Sequence, residues 1–197
     1  MQRAGEGIVL YEPASPAGLT YQKDGAEQVR GFAREAAASA KIAWSESQAL
    51  ALRRGPYVIA AGLDEPQPGG PAILSGRFVD LFDAQLAVAS KVKLTPGRRA
   101  LLLDLDAATR AGPGPRIVAA ACRVREEAAN SGRVSIRTEG VADTNGVVLL
   151  LTTDAPKEVR INDQPAPESA FDFHDGTLRI RFPNSPEGTR IEIDFRN

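Results

Sequence analysis

The sequence predicts a mainly β protein, an antiparallel β-sandwich of two packed β lobes preceded by a short N-terminal α/β segment. Three observations predict it. Between Phe171 and Phe195 three runs alternate apolar and polar residues, Phe171 to His174, Thr177 to Phe182 and Arg190 to Phe195, so each has one dry face. Asp175-Gly176 joins the first two, and such a pair marks a hairpin because a type I′ turn needs positive φ at both central residues. From Tyr57 to Ile161 short β-type runs recur between Gly- and Pro-rich breaks, the spacing of a sandwich.

The first segment, residues 1–54, reads as a small α/β unit or the remnant of a preceding domain. Gly7 to Tyr11 is a short strand ending at Glu12-Pro13. Asp24 is placed to cap a helix over Gly25 to Ala40, in which Ala26, Val29, Phe32, Ala33, Ala36, Ala37 and Ala40 recur at three- and four-residue spacing. Only Val29 and Phe32 are bulky on that face, which makes them the candidate domain-docking face. Leu50 and Leu52 alternate within Ser47 to Arg54, which reads as extended chain with a short helix as the alternative.

The first β lobe is assigned to residues 55–130. Its strand candidates are Tyr57 to Leu63, Ala72 to Leu74, Gly76 to Phe82, Leu86 to Leu94, Arg99 to Asp104 and Arg116 to Arg125, separated by Pro66 to Pro71, Thr95 to Gly97 and Ala111 to Pro115. Glu126 to Gly132 reads as a joint. The second lobe, 131–197, holds Arg133 to Glu139, Val147 to Leu151, Glu158 to Ile161 and the three C-terminal strands, with Asn145-Gly146 and Asn162-Asp163 as further tight turns. Each lobe has only about 65 to 70 residues, small for an independent core, so the two are expected to pack closely together.

Composition narrows the partners. The chain has 197 residues, 43% of them hydrophobic, enough for a core of ordinary size. Lys plus Arg number 24 against 25 Asp plus Glu, a formal charge of −1 without segregation of sign, so no basic field points to nucleic acid or to anionic membranes. The single cysteine, Cys122, rules out an internal disulfide, and its apolar neighbours read as those of a buried thiol. The first residues lack the basic start and apolar run of a secretory signal, and no run reaches the roughly 18 apolar residues of a membrane helix. That leaves a cytoplasmic protein or a fragment of a longer precursor, periplasmic or extracellular if the precursor is exported.

No motif spells out a chemistry. Nucleophilic triads need a histidine base, and the only one, His174, sits at a hairpin tip. One His and one Cys do not make a transition-metal site without carboxylates. The carboxylate pairs Asp64 and Glu65, Asp80 and Asp83, and Asp104 and Asp106 are candidates for acid and base groups about 5 to 10 Å apart. Adjacent strand residues point to opposite faces, and the other pairs read as strand-end residues. Asp143 to Gly146 begins like a calcium loop but has no glutamate at the required place. No Gly-rich loop has the context of a phosphate cradle, so no cofactor is expected. For sugar or domain contact the candidates are Trp44, Tyr11 and Tyr21, with Trp44 reading as a domain-packing residue before a sugar platform, while Tyr57 reads as core.

Two stretches carry a resemblance. Arg53 to Glu65, with Leu74 to Asp83, Leu94 to Gly97 and Leu101 to Asp104, resembles the β-rich region after the catalytic barrel of certain bacterial glycoside hydrolases. Pro156 to Asn162, Thr177 to Pro186 and Ile191 to Ile193 are similar to the closing sandwich of such multidomain enzymes. In that family the catalytic carboxylates lie on the barrel, so the resemblance carries no catalytic residue to this chain. It implies a non-catalytic accessory region that braces a catalytic domain, self-associates or contacts carbohydrate weakly. The alternatives are a free-standing binding protein and a small carboxylate-dependent hydrolase.

Overall fold

The computed structural model describes residues 2–4, 7–64, 70–112, 114–130 and 132–195. Packing divides the chain into two compact units, Met1–Ser47 and Gln48–Asn197.

The first unit holds a short hairpin of β1 (Gln2–Ala4) and β2 (Gly7–Val9), a single helical turn α1 (Pro16–Leu19) and the helix α2 (Gly25–Ser39). The predicted helix is present, but Asp24 does not cap it as expected. Its φ is 62° and its side chain makes no capping bond. The chain turns here through a left-handed residue because α1 ends directly against the start of α2. A Cβ on Gly25 would lie 1.6 Å from the Leu19 carbonyl oxygen, so only glycine fits. At the other end Ile42 N–H bonds the Ala37 carbonyl and Lys41 N–H that of Ala38, with Lys41 at φ 56°. That is a Schellman closure with lysine where glycine is usual.

The second unit is mainly β, with three antiparallel sheets packed together. In chain order its elements are β3 (Ala49–Arg54), β4 (Tyr57–Gly62), β5 (Ala72–Asp80), β6 (Val88–Leu94), β7 (Arg99–Asp104), α3 (Leu105–Thr109), β8 (Arg116–Ala120), β9 (Arg123–Asn130), β10 (Arg133–Glu139), β11 (Asn145–Leu151), β12 (Pro156–Ile161), β13 (Gln164–Pro165), β14 (Phe171–His174), β15 (Thr177–Pro183) and β16 (Thr189–Phe195). The sheets run β3-β4-β7-β5-β6, β14-β15-β11-β8 and β13-β12-β16-β10-β9. β3 pairs along its length with β4, which places 49–54 in the second unit. β8 and β9 hydrogen-bond to strands of the C-terminal block.

The four-stranded sheet is the middle layer. One face of β11 presents Val148 and Leu150 to a core shared with Val134 and Ile136 of β10 and Ile191 and Ile193 of β16. The opposite face presents Val147, Leu149 and Leu151 to Val79, Leu86, Leu103 and α3. Alternation sends successive residues to opposite sides, so a strand buried on both faces reads as the unbroken apolar run Val147 to Leu151. A third cluster, with Phe78, Val58, Leu94 and Leu102, fills the inner face of the β3–β7 sheet. That sheet curls tightly. A Cβ on Gly62 would lie 2.0 Å from the Thr95 carbonyl oxygen, so the end of β4 lies against the end of β6.

Several local readings change. The runs Ala72 to Leu74 and Gly76 to Phe82 form the single strand β5, whose register with β6 shifts between Ser75 and Phe78, with Gly76 at φ 152°. Arg116 to Arg125 is two strands broken at Ala121-Cys122, and the expected joint at Glu126 belongs to β9. β9 is an edge strand exposed over most of its length, so its polar composition hides it. Asn145-Gly146 is no turn. It opens β11, and Gly146 is there because a Cβ would lie 2.4 Å from the Phe182 ring. Asn162-Asp163 and Asp175-Gly176 do turn with positive φ at both residues, 48° and 63°, and 47° and 70°. The C-terminal run is split between sheets: β14 and β15 form the hairpin, and β16 crosses to the other side of the sandwich.

Candidate functional site

Within the first unit the structure brings Tyr11, Val29 and Phe32 together. They line a hollow of about 300 Å³ with Leu10, Glu12, Ala14 and Leu19, so the predicted docking face of α2 is half-buried by its own unit. Tyr21, 91% exposed, does not line this hollow. Trp44 belongs to a polar cluster. Its indole N–H donates to Glu46 Oε1 at 2.9 Å, and Arg34 reaches that same oxygen at 2.7 Å and Glu27 Oε1 at 2.7 Å. The Trp44 hydrogen bond, with Arg34 beside it, lowers the Glu46 carboxyl below the usual range, and Arg34 does the same for Glu27.

The carboxylate pairs do not converge. Asp64 is exposed, and Glu65 lies outside the described residues. Asp80 accepts the Phe82 N–H at 3.1 Å and Asp83 the Gln85 N–H at 2.9 Å, both local turn bonds. Asp104 caps α3 by accepting the Ala107 N–H at 3.0 Å and pairs with Arg53 at 2.7 Å. Burial pulls its carboxyl upward, but the Ala107 N–H and Arg53 outweigh that and hold it low. Asp106 pairs with Arg77 at 3.2 Å. Cys122 is half-buried against the sandwich core, and burial raises its thiol above the ordinary value.

Two features of the second unit went unread in the sequence. The first is a cleft of about 360 Å³ between the β5–β6 edge and the β14–β15 hairpin, whose lining includes Arg77, Val88, Asp172, His174, Asp175 and Arg179. A second hollow of about 320 Å³ shares Arg77 and Asp175 with it. Arg77 holds the pair together by donating from Nη2 to the Asp175 carbonyl. His174 Nε2 lies 3.1 Å from Asp175 Oδ2 at the mouth. Arg77 and Asp175 are 98 positions apart in sequence, so only the layering of two sheets brings them together.

The second feature is an apolar sheet face. On the outer side of β3–β4, Leu50, Leu52, Tyr57 and Ile59 are 66%, 57%, 44% and 53% exposed, although Tyr57 reads as core from its apolar strand. Leu52 and Ile59 are directly paired, and Ile59 continues to Leu101 on β7. The opposite side of β4 carries Val58 and Ala60, at 1% and 3% exposure, so this is a strand with two apolar faces and one core. Alternation counts predict a half-buried strand here and miss the second face.

Among the described residues no group of three or more His, Cys, Asp or Glu is arranged to hold a metal ion, and no helix is long and apolar enough to cross a membrane. Comparison with protein-family models, with curated proteins and with solved structures finds no match for this chain.

Proposed function

We propose that this chain is a non-catalytic accessory β-sandwich region that braces the catalytic domain of a carbohydrate-degrading enzyme, docking through the outer face of β3–β4. The observation that carries the reading is the row Leu50, Leu52, Tyr57 and Ile59. Adjacent large apolar side chains left in water on one sheet face are the mark of a surface made to be covered. The occupant proposed is a catalytic barrel domain, on the resemblance of Arg53 to Glu65 and the strands after it to the region that follows the barrel in certain bacterial glycoside hydrolases. Two members of the row, Tyr57 and Ile59, lie in that stretch.

The test is the double variant Leu52→Ser with Ile59→Ser. In the isolated chain, where both side chains are already in water, the variant leaves the melting temperature unchanged. Joined to the barrel encoded in the same reading frame, it lowers the melting temperature of the barrel. A frame with no barrel, or a barrel indifferent to the variant, contradicts the proposal.

A further inference from the structure

We infer that β3 takes up an extended acidic segment of the partner that covers the β3–β4 face, adding it to the sheet as a further strand. The inference rests on the docking role of that face and turns a covered surface into a mode of attachment. The register of β3 on β4 shows which backbone groups are left over. Leu63 N–H bonds the Gln48 carbonyl, and the pairing runs from Ala49 with Gly62 to Arg54 with Tyr57 without a shift. Bonded and non-bonded pairs alternate in an antiparallel ladder, so Leu50, Leu52 and Arg54 exchange hydrogen bonds with β4. The N–H and C=O groups of Ala51 and Arg53 point the other way, off the end of the sheet, and both residues are exposed.

The other terminal strands of the three large sheets are blunted against such pairing, and β3 is not. β13 has two residues and β14 four, β6 carries Lys91 and Lys93, β9 is charged through its first half, and β8 is half-buried throughout. β3 has no proline, lysine or bulge, and Ala49 to Leu52 carry no charge. An edge of that kind is a template for another strand. Charge then names the strand. β3 closes on Arg53 and Arg54 and holds no carboxylate. Arg53 shares Asp104, while Arg54 has no ion-pair partner among the described residues. A second copy fits poorly, because antiparallel pairing of two β3 strands gathers four arginines on one short ribbon. A segment with carboxylates opposite Arg53 and Arg54 and apolar side chains opposite Leu50 and Leu52 pairs the free backbone, answers the charge and widens the apolar row.

The experiment is an NMR titration of the ¹⁵N-labelled full chain with the peptide acetyl-Thr-Glu-Glu-Val-Thr-Val-Thr-amide, with the same residues in reverse order, and with versions of both in which lysine replaces glutamate. The expected result is saturable shifts in β3 and β4 with at least one acidic peptide, slowed exchange of the Ala51 and Arg53 amide protons, and no response to the lysine peptides. Ala51→Pro removes an outward N–H at a position where an edge strand tolerates proline, and it abolishes the shifts while the remaining spectrum shows the fold intact. Arg54→Glu keeps the backbone and weakens binding of the acidic peptide about tenfold. No response to either acidic peptide, an equal response to the lysine peptides, or shifts that survive Ala51→Pro overturns the inference. So does broadening of β3 resonances with chain concentration in the absence of peptide, which puts a second copy on the edge. The docking role fails separately: a barrel destabilised by Leu52→Ser with Ile59→Ser, in a chain whose β3 takes no peptide, keeps the docked face and removes only the added strand.

Discussion

The Trp44 indole N–H donates to Glu46 Oε1 at 2.9 Å, and Glu46 is at the same time held by Arg34 of helix α2. The only tryptophan of the chain is thereby a reporter of one carboxylate. The folded-state pKa of Glu46 is depressed, so the interaction is fully present above the ordinary glutamate value and is lost as pH falls through the lower folded value. Trp44 emission is expected to stay constant down to the ordinary glutamate range and to change below it. In Glu46→Gln that step disappears. A step with the same midpoint in the variant shows that another group causes it.

Glycines divide into those the packing needs and those it does not. Gly146→Ala drives a methyl toward the Phe182 ring and Asn184 and is expected to cost about 1 to 3 kcal/mol in urea unfolding. Gly31 lies inside α2, where a methyl would enter open space with no neighbour within 4 Å, so Gly31→Ala is expected to stabilise the helix by roughly 0.5 to 1 kcal/mol. The reverse order of the two effects contradicts the packing described.

Leucines on the two kinds of surface are expected to differ as sharply. Leu150 is fully buried between two sheets, and Leu150→Ala should cost about 2 to 5 kcal/mol. Leu50→Ala, on the open face, should stay within about 0.5 kcal/mol in the isolated chain. Equal losses would mean that something covers Leu50.

Asp104 joins α3 to β3 through its cap and Arg53. Asp104→Ala should cost about 1 kcal/mol at neutral pH, measured by denaturant unfolding. Its folded pKa is depressed, so that contribution is complete above the ordinary aspartate value and vanishes as pH falls through the folded one. Wild type and variant should converge in acid. A gap that persists there points to packing instead.

The β architecture was legible where the sequence obeys a single rule. Alternation from Phe171 to Phe195 and the Asp175-Gly176 turn placed a hairpin that is present, its second strand one residue longer than read. Legibility failed where two demands met at one position. Gly146 resembles a turn glycine because it follows Asn145, yet it is selected by the approach of Phe182. β9 carries the polar residues of a loop because an edge strand faces water. Helix α3 is only one turn long, too short for any periodicity. Neither the cleft nor the open face was visible, since Arg77 and Asp175 meet only after two sheets are stacked. The apolar row on β3–β4 is written in the same residues that build an ordinary core strand.

The measurement that bears most directly on the docking role is hydrogen–deuterium exchange of residues 49–61, compared between this chain and the same chain joined to the catalytic barrel that the proposal requires. The proposal predicts that β3 and β4 exchange markedly more slowly in the joined protein, while β10 and β16 are unchanged. Identical exchange of β3 and β4 in the two proteins would contradict it.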